Sequence, residues 1–352
     1  MSDARRGFAS DNAAGVHPDV LAAVAAANSG HAHAYGDDEW TRRAVALVKR
    51  QFGEDAEVFF TFNGTGANVT ALQVLVRPFE AVICPATAHI STDECGAPGR
   101  FTGARLFDVP TPDGKLTPDL IAGSITGVGF EHASQPRAVS ITQSTECGTV
   151  YAARELAGIA ATAREHGLYL HVDGARLANA AAALGCTLGE ACEGADVVSF
   201  GATKNGALLA EAVVFRTPAL ARDFKYVRKQ SGQLASKMRF LSAQYVALLE
   251  DDLWLRNAAH ANAMAALLAS LVREVPGVRI TQAVEANEVF ALLPAEAIAP
   301  LAEEFDFYTW DERTGEVRWV ASWDTTEKDV HALAAGVRAA LSSPQGILPD
   351  KG

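Results

Sequence analysis

Cysteine is scarce and unpatterned in this 352-residue chain: Cys84, Cys95, Cys147, Cys186 and Cys192, with no CxxC pair. That excludes a disulfide framework and a thiolate zinc site, calls for no metal, and fits a reducing cytoplasm. Cations are outnumbered, 30 Lys and Arg against 42 Asp and Glu, for a net charge of −12. Phosphate backbones and anionic membrane surfaces need clustered positive charge, so nucleic acid and lipid drop out as partners. Long apolar runs are missing as well. None approaches a membrane span, and the opening MSDARRGFASDN lacks the apolar core of a signal peptide. There is no internal repeat and no low-complexity segment beyond Ala-rich helices. What remains reads as a soluble, cytoplasmic chain whose 49% hydrophobic content can fill the cores of two domains.

Periodicity and punctuation then order the chain. The first ten or so residues are polar and read as extended. A helix is expected in HPDVLAAVAAANSG and another in TRRAVALVKRQFG, capped by Asp37 or Asp38 and stopped at Gly53. Apolar runs of strand length recur at 57–62, 81–85, 138–142, 168–172, 197–200 and 212–215, with another in ARLFDV. Helical stretches such as ARELAGIAATAREHG alternate with them, which predicts a mainly parallel sheet covered on both faces. From 240 to about 275 the helical pattern is almost unbroken and reads as two helices or one spine. Strand 289–293, helix 295–305, strand 317–322 and helix 329–341 complete a compact α+β unit, and the tail SSPQGILPDKG reads as frayed. The fold class is α/β: a large domain over 1–250, N-terminal segment included, and a small C-terminal α+β domain over 251–352.

One stretch carries paired chemistry. HGLYLHVDGARLANAAAALG ends an apolar run on Asp173, and DVVSFGATKNG follows another with Lys204. In a parallel sheet both project from the carboxyl edge, where open α/β sheets bind ligands. Such a pair suits pyridoxal phosphate, the lysine forming the Schiff base and the aspartate pairing with the ring nitrogen. It equally suits a helix-capping Asp and a surface Lys. NGTGAN, ahead of the helical VTALQVLVRPF, reads as a phosphate cup of Gly64, Thr65 and Gly66 or as an ordinary βα turn. It matches neither the P-loop nor the dinucleotide fingerprint, which argues against a nicotinamide oxidoreductase. His89 either lies against a planar cofactor or is a structural histidine, and Glu94 either orients it or is a loop carboxylate. The basic TPALARDFKYVRKQSGQLASKMR is a solvated face or a source of cations for a neighbouring subunit's phosphate.

In this order the elements resemble the fold-type I pyridoxal phosphate enzymes, and more narrowly the low-specificity L-threonine aldolases of the β-eliminating lyase group. The similarity runs from FASDNAAG to VRWVASWDTTEKDV and is most specific in HAYGDDEW, NGTGAN, AHISTDECGA, HVDGARLANA and SFGATKNG. It implies a seven-stranded-type sheet of the aminotransferase kind and pyridoxal 5'-phosphate as cofactor. The implied reaction is retro-aldol cleavage of L-threonine or L-allo-threonine to glycine and an aldehyde. By this resemblance Lys204 carries the cofactor, Asp173 pairs with its pyridine nitrogen, His89 stacks on its ring, and Gly64 and Thr65, with Thr203, hold its phosphate. Arg176 points to the cofactor hydroxyl and the substrate carboxylate, and Ser10 and Arg318 complete a clamp on that carboxylate. Tyr35 belongs to a site loop near a dimer interface. Lys229, Lys237 or Arg239 supplies a phosphate contact from the partner in a dimer or dimer of dimers, a homotetramer. Two departures stand out. Glu146, in QSTEC, occupies the place of a second histidine, which leaves Glu146, His89 or a held water as base. TKNGALLAEA replaces the commoner SKGLGAP. A phenylserine aldolase or a β-eliminating lyase of the same fold would share every residue named.

Overall fold

The computed structural model describes residues 6–342. Seven strands form the larger sheet: β1 (Glu57–Thr61), β2 (Glu80–Pro85), β3 (Arg105–Val109), β4 (Gln135–Thr142), β5 (Tyr169–Gly174), β6 (Val197–Gly201) and β7 (Glu211–Phe215). Their order is β1-β7-β6-β5-β4-β2-β3, with β7 alone reversed, pairing antiparallel with both β6 and β1. Every residue of β6 and β7 is buried, because alternate side chains enter apolar cores on opposite faces. Val198, Phe200 and Val214 pack into one core; Val197, Val213 and Phe215 pack into the other. Burial on both faces is what turns these strands into continuous apolar runs, the pattern visible in the sequence.

The helices follow their caps. Asp38 accepts the Thr41 N–H at 2.8 Å and starts Glu39–Phe52, which ends at Gly53 with φ 119°. The long pattern splits into Arg239–Glu250 and Leu253–Arg273, separated at Asp252, whose φ is 52°. The helix after β1 differs from expectation at both ends. It spans Gly64–Leu75, so the glycines form its first turn, and it stops just before VRPF. Pro78 lacks an N–H and disfavours helical geometry before it, and Val76 is already extended.

A second sheet joins β8 (Arg279–Ile280), β9 (Glu288–Leu292), β10 (Tyr308–Asp311) and β11 (Glu316–Val320) in the order β10-β11-β9-β8, antiparallel throughout. Its core includes Leu268, Val272, Val289, Trp319 and Leu333. β8 and β10 escaped the sequence pattern, since β8 has two residues and β10 is largely exposed. The N-terminal segment, expected with the large domain, inserts Phe8 into this second core. Phe8 N–H donates to Asp306 O at 2.7 Å, and Val320 N–H donates to Phe8 O at 2.8 Å. The start of that segment and the tail from residue 343 on lie outside the described residues. Among the described residues no helix is long and apolar enough to cross a membrane.

Candidate active site

Parallel pairing aligns β4, β5 and β6, with Thr142 opposite Asp173 and Asp173 opposite Ser199. Their carboxyl ends open onto a cavity of ≈ 300 Å³, closed on one side by the helix Gly64–Leu75. The cavity brings together Gly64, Thr65, His89, Glu146, Asp173, Arg176, Thr203 and Lys204. Ser10, Tyr35 and Arg318 do not line it.

The turn after β1 offers N–H groups, though not those of all three cup residues. Asn63 caps the helix by accepting the Gly66 N–H on Oδ1 at 2.7 Å, and its carbonyl takes Ala67 N–H at 3.0 Å. Gly64 and Thr65 precede the first intrahelical bond, so theirs are the donors a helix N-terminus presents to an anion. Gly66 has a different task. A Cβ there would stand 2.3 Å from the Gln233 side chain, whose Oε1 accepts Phe62 N–H at 3.0 Å.

One polar chain crosses the floor. Asn68 Nδ2 donates to Asp173 Oδ2 (2.7 Å) and to Glu94 Oε1 (2.9 Å). The same Glu94 oxygen lies 2.9 Å from His89 Nδ1, so that nitrogen carries the proton. Glu94 is therefore a buried partner of His89, and its hydrogen bond, against the effect of burial, raises the His89 pKa. Asp173 Oδ1 accepts Ala175 N–H at 3.0 Å.

Glu146 closes the opposite wall. Its Oε1 accepts the His89 N–H (2.8 Å) and the Thr142 hydroxyl (2.7 Å), while the buried Oε2 has no partner. Burial, then the charge of Asp173, pushes its carboxyl up to about 7. Lys204 sits in the turn after β6; burial and then Arg176 depress its ammonium, which favours the nucleophilic free amine.

Thr203 turns its hydroxyl to Glu211 Oε1 at 2.6 Å. Glu211 is a cavity-lining acid the sequence reading passed over, because at the head of an apolar strand it reads as a solvent-edge residue. Burial pushes it up to about 7, from an ordinary 4.5. Between those values the folded state holds a proton the unfolded chain has released, so stability falls as pH rises through 7. Glu211→Gln should therefore raise the unfolding free energy at pH 8 by roughly 1–3 kcal/mol and change it little near pH 5. Urea titrations at the two pH values measure this, and equal effects at both would contradict a buried, protonated Glu211.

Behind the cavity lies a four-charge cluster. Arg176 donates from Nε and Nη2 to Asp11 at 2.8 and 3.0 Å, both groups being buried. Arg176 Nη2 and Arg318 Nη1 flank Glu288 Oε1 at 3.6 and 3.5 Å. Arg318 also donates to Ala9 O at 3.3 Å and lies over the Trp310 ring, one remove from the cavity. The expected clamp is thus neutralised within the chain by Asp11 and Glu288, neither of which local pattern singled out. Ser10 spends its hydroxyl accepting Asn12 N–H at 3.1 Å, while its neighbour Asn12 lines the cavity. Tyr35 is exposed and lies under Lys229 at 5.3 Å, Lys237 is exposed, and Arg239 donates to Ser29 O and Gly30 O.

Comparison with known proteins agrees with this geometry. The sequence profile of the Beta-eliminating lyase family matches residues 7–296. Low specificity L-threonine aldolases from Pseudomonas sp. and Pseudomonas aeruginosa are 50% and 49% identical, each covering 97% of this chain and 100% of the relative. A solved structure of Leishmania major threonine aldolase superposes with TM-score 0.90 at 35% identity, over 95% of this chain and 99% of that one. With an amine and a carboxylate on one sheet edge, an anion-binding turn facing them, and similarity over nearly the whole length, the chain belongs to the β-eliminating lyase family.

Proposed function

We propose that this chain is a pyridoxal 5'-phosphate-dependent aldolase that cleaves L-threonine or L-allo-threonine, and related β-hydroxy-α-amino acids, to glycine and an aldehyde. The observation that carries the reading is the convergence of Lys204, Asp173 and the Gly64–Thr65 N–H groups on one cavity. The residues present fit the cofactor. A depressed lysine amine, a carboxylate anchored by Asn68 and Ala175, free helix-terminal donors and the Thr203 hydroxyl match an aldehyde, a ring nitrogen and a phosphate respectively. Glu211 does not oppose a phosphate while it holds its proton. His89 would lie against the ring.

Bound there, the cofactor supplies a sink for the electron pair left at Cα when the Cα–Cβ bond breaks. The chain's residues do the rest. Arg176, at the cavity wall, would hold the substrate carboxylate, with Arg318 and Ser10, which do not line the cavity, completing the clamp. Glu146, with a free buried oxygen and a pKa of about 7, accepts the β-hydroxyl proton, and the Glu94–His89 pair steadies the main chain that Glu146 binds. We place the domain division at residues 250 and 251, between two helices. We read the assembly as a cytoplasmic homo-oligomer, a dimer or dimer of dimers, in which Tyr35 and one of Lys229, Lys237 and Arg239 reach the neighbour's site. The exposure of Leu208 and Leu209 beside the cavity supports it.

Incubation of the holoenzyme with L-threonine is expected to release acetaldehyde and glycine in equal amounts. Ammonia with a keto acid would replace this reading by β-elimination, and turnover confined to phenylserine would replace it by a phenylserine aldolase.

A further inference from the structure

Glu288 occupies an unusual electrostatic position. Its side chain is fully buried, and neither oxygen has a hydrogen-bond partner. Two guanidinium groups face the same oxygen at 3.5 and 3.6 Å, near enough for charge and too far for a good hydrogen bond. Gly148 makes the burial possible: at φ +73° its loop closes down until an added Cβ would stand 3.2 Å from Glu288 Cβ. Asp11, the other anion of the cluster, is held differently, by two bonds from Arg176 and a third from Asn287 Nδ2 at 3.0 Å.

The charges therefore balance before any ligand arrives, two guanidiniums against two carboxylates. A ligand carboxylate docking on Arg176 and Arg318 makes a third anion among buried charges, and uncompensated buried charge is unfavourable enough that the site neutralises instead. Asp11 resists protonation because its hydrogen bonds and the nearby Arg176 and Lys204 outweigh its burial and hold its pKa down. Glu288 has no such bonds, and burial raises its pKa despite Arg176 and Arg318. The other groups around the cluster are Lys204 from the turn after β6, Cys147 and Glu146 from the loop after β4, and Tyr308 beneath Arg318.

We propose that Glu288 is the proton acceptor coupled to carboxylate binding: as a ligand's carboxylate takes over the charge of Arg176 and Arg318, Glu288 takes one proton from solvent. Glu288 is thus a positioning residue, acting on substrate through the two arginines, and its role rests on the carboxylate clamp proposed above. The consequence is a pH-dependent affinity for any monocarboxylate. As pH rises above the free-state pKa of Glu288, binding must recruit a proton from an ever scarcer supply.

The test is calorimetric titration of the holoenzyme with 3-hydroxybutyrate, which has the carboxylate and hydroxyl but no amine to exchange protons. Paired buffers of different ionisation enthalpy report proton uptake directly. Wild type is expected to take up about one proton per bound carboxylate, with Kd weakening about tenfold per pH unit. In Glu288→Gln the uptake should vanish, and Kd should become independent of pH and tighter than wild type at alkaline pH. Glu146→Gln should keep the uptake, which separates the two acids. Binding without uptake in wild type, or uptake that survives Glu288→Gln, overturns the proposal and leaves the clamp intact. Absence of binding overturns the clamp itself and the proposal with it. Binding without uptake in wild type overturns the proposal even if the Glu288 variant does not fold.

Discussion

Lys204→Ala is expected to lower kcat/KM for L-threonine by on the order of 10³-fold or more and to release the cofactor on dialysis. Among the described residues Lys204 is the one lysine that lines the cavity, and none of these offers a neighbouring amine to replace it. The turn that carries it is anchored by Asn205, which donates to Trp254 O at 3.1 Å and whose carbonyl accepts Asn257 Nδ2 at 2.9 Å. The variant should therefore fold and melt close to wild type, isolating the chemical effect. Two readings check it: the rate of aldehyde release, and the visible absorbance of the protein after exhaustive dialysis with pyridoxal phosphate removed. Wild type keeps its absorbance and the variant loses it. Unchanged turnover would end the assignment of Lys204 as the cofactor's anchor.

The second large effect belongs to Glu146. A base must be ionised to accept a proton, so with a pKa of about 7 its active fraction grows as pH rises through neutrality and then levels. Glu146→Gln keeps the shape and the bonds from His89 N–H and Thr142 but cannot accept a proton. We expect kcat to fall about 10²–10⁴-fold with little change in KM, and the inflection near neutrality to disappear. A pH–rate profile of both proteins measures this. If the variant keeps the wild-type inflection, the proton goes to His89 or to water. Stability moves the other way. The folded carboxyl binds its proton up to about pH 7 while the unfolded one releases it near 4.5, so above 7 wild type carries a buried charge that the glutamine removes.

Elements with a strong local signature were legible in advance. β5 and β6 are apolar runs because both faces are covered, and Asp38 and Gly53 bracket their helix with cap chemistry that acts over four residues. The place of Asp173 and Lys204 on one sheet edge followed from strand ends, while their chemistry stayed open there and was implied only by the family resemblance. The unread parts are pairings at long range. Arg176 meets Asp11 across 165 positions and Asn287 meets Asp11 across 276, distances at which no periodicity or spacing operates. Glu94 was ambiguous for a different reason. It lies five residues past His89, off the face of any regular helix, and only the short turns at His89–Thr92 and Ala97–Thr102 fold it back. The Gly66 N–H looked like part of the cup because a glycine before a helix resembles an anion site. Asn63, a good cap, had already claimed it.

The order of synthesis gives the residue 8–12 segment a further meaning. It leaves the ribosome well before its partners: Asp306 and Val320 around Phe8, Arg318 at Ala9 and Asn287 at Asp11. Until those residues emerge, Phe8 has no core to enter and the carboxylate of Asp11 lacks one of its three bonds. A ribosome-bound chain stalled near residue 250 can complete the seven-stranded sheet and place Asp173 beside Lys204, but it cannot build the arginine centre. The arginine centre thus closes late, when residues 8–12 meet the segments that carry Asn287, Asp306 and Arg318.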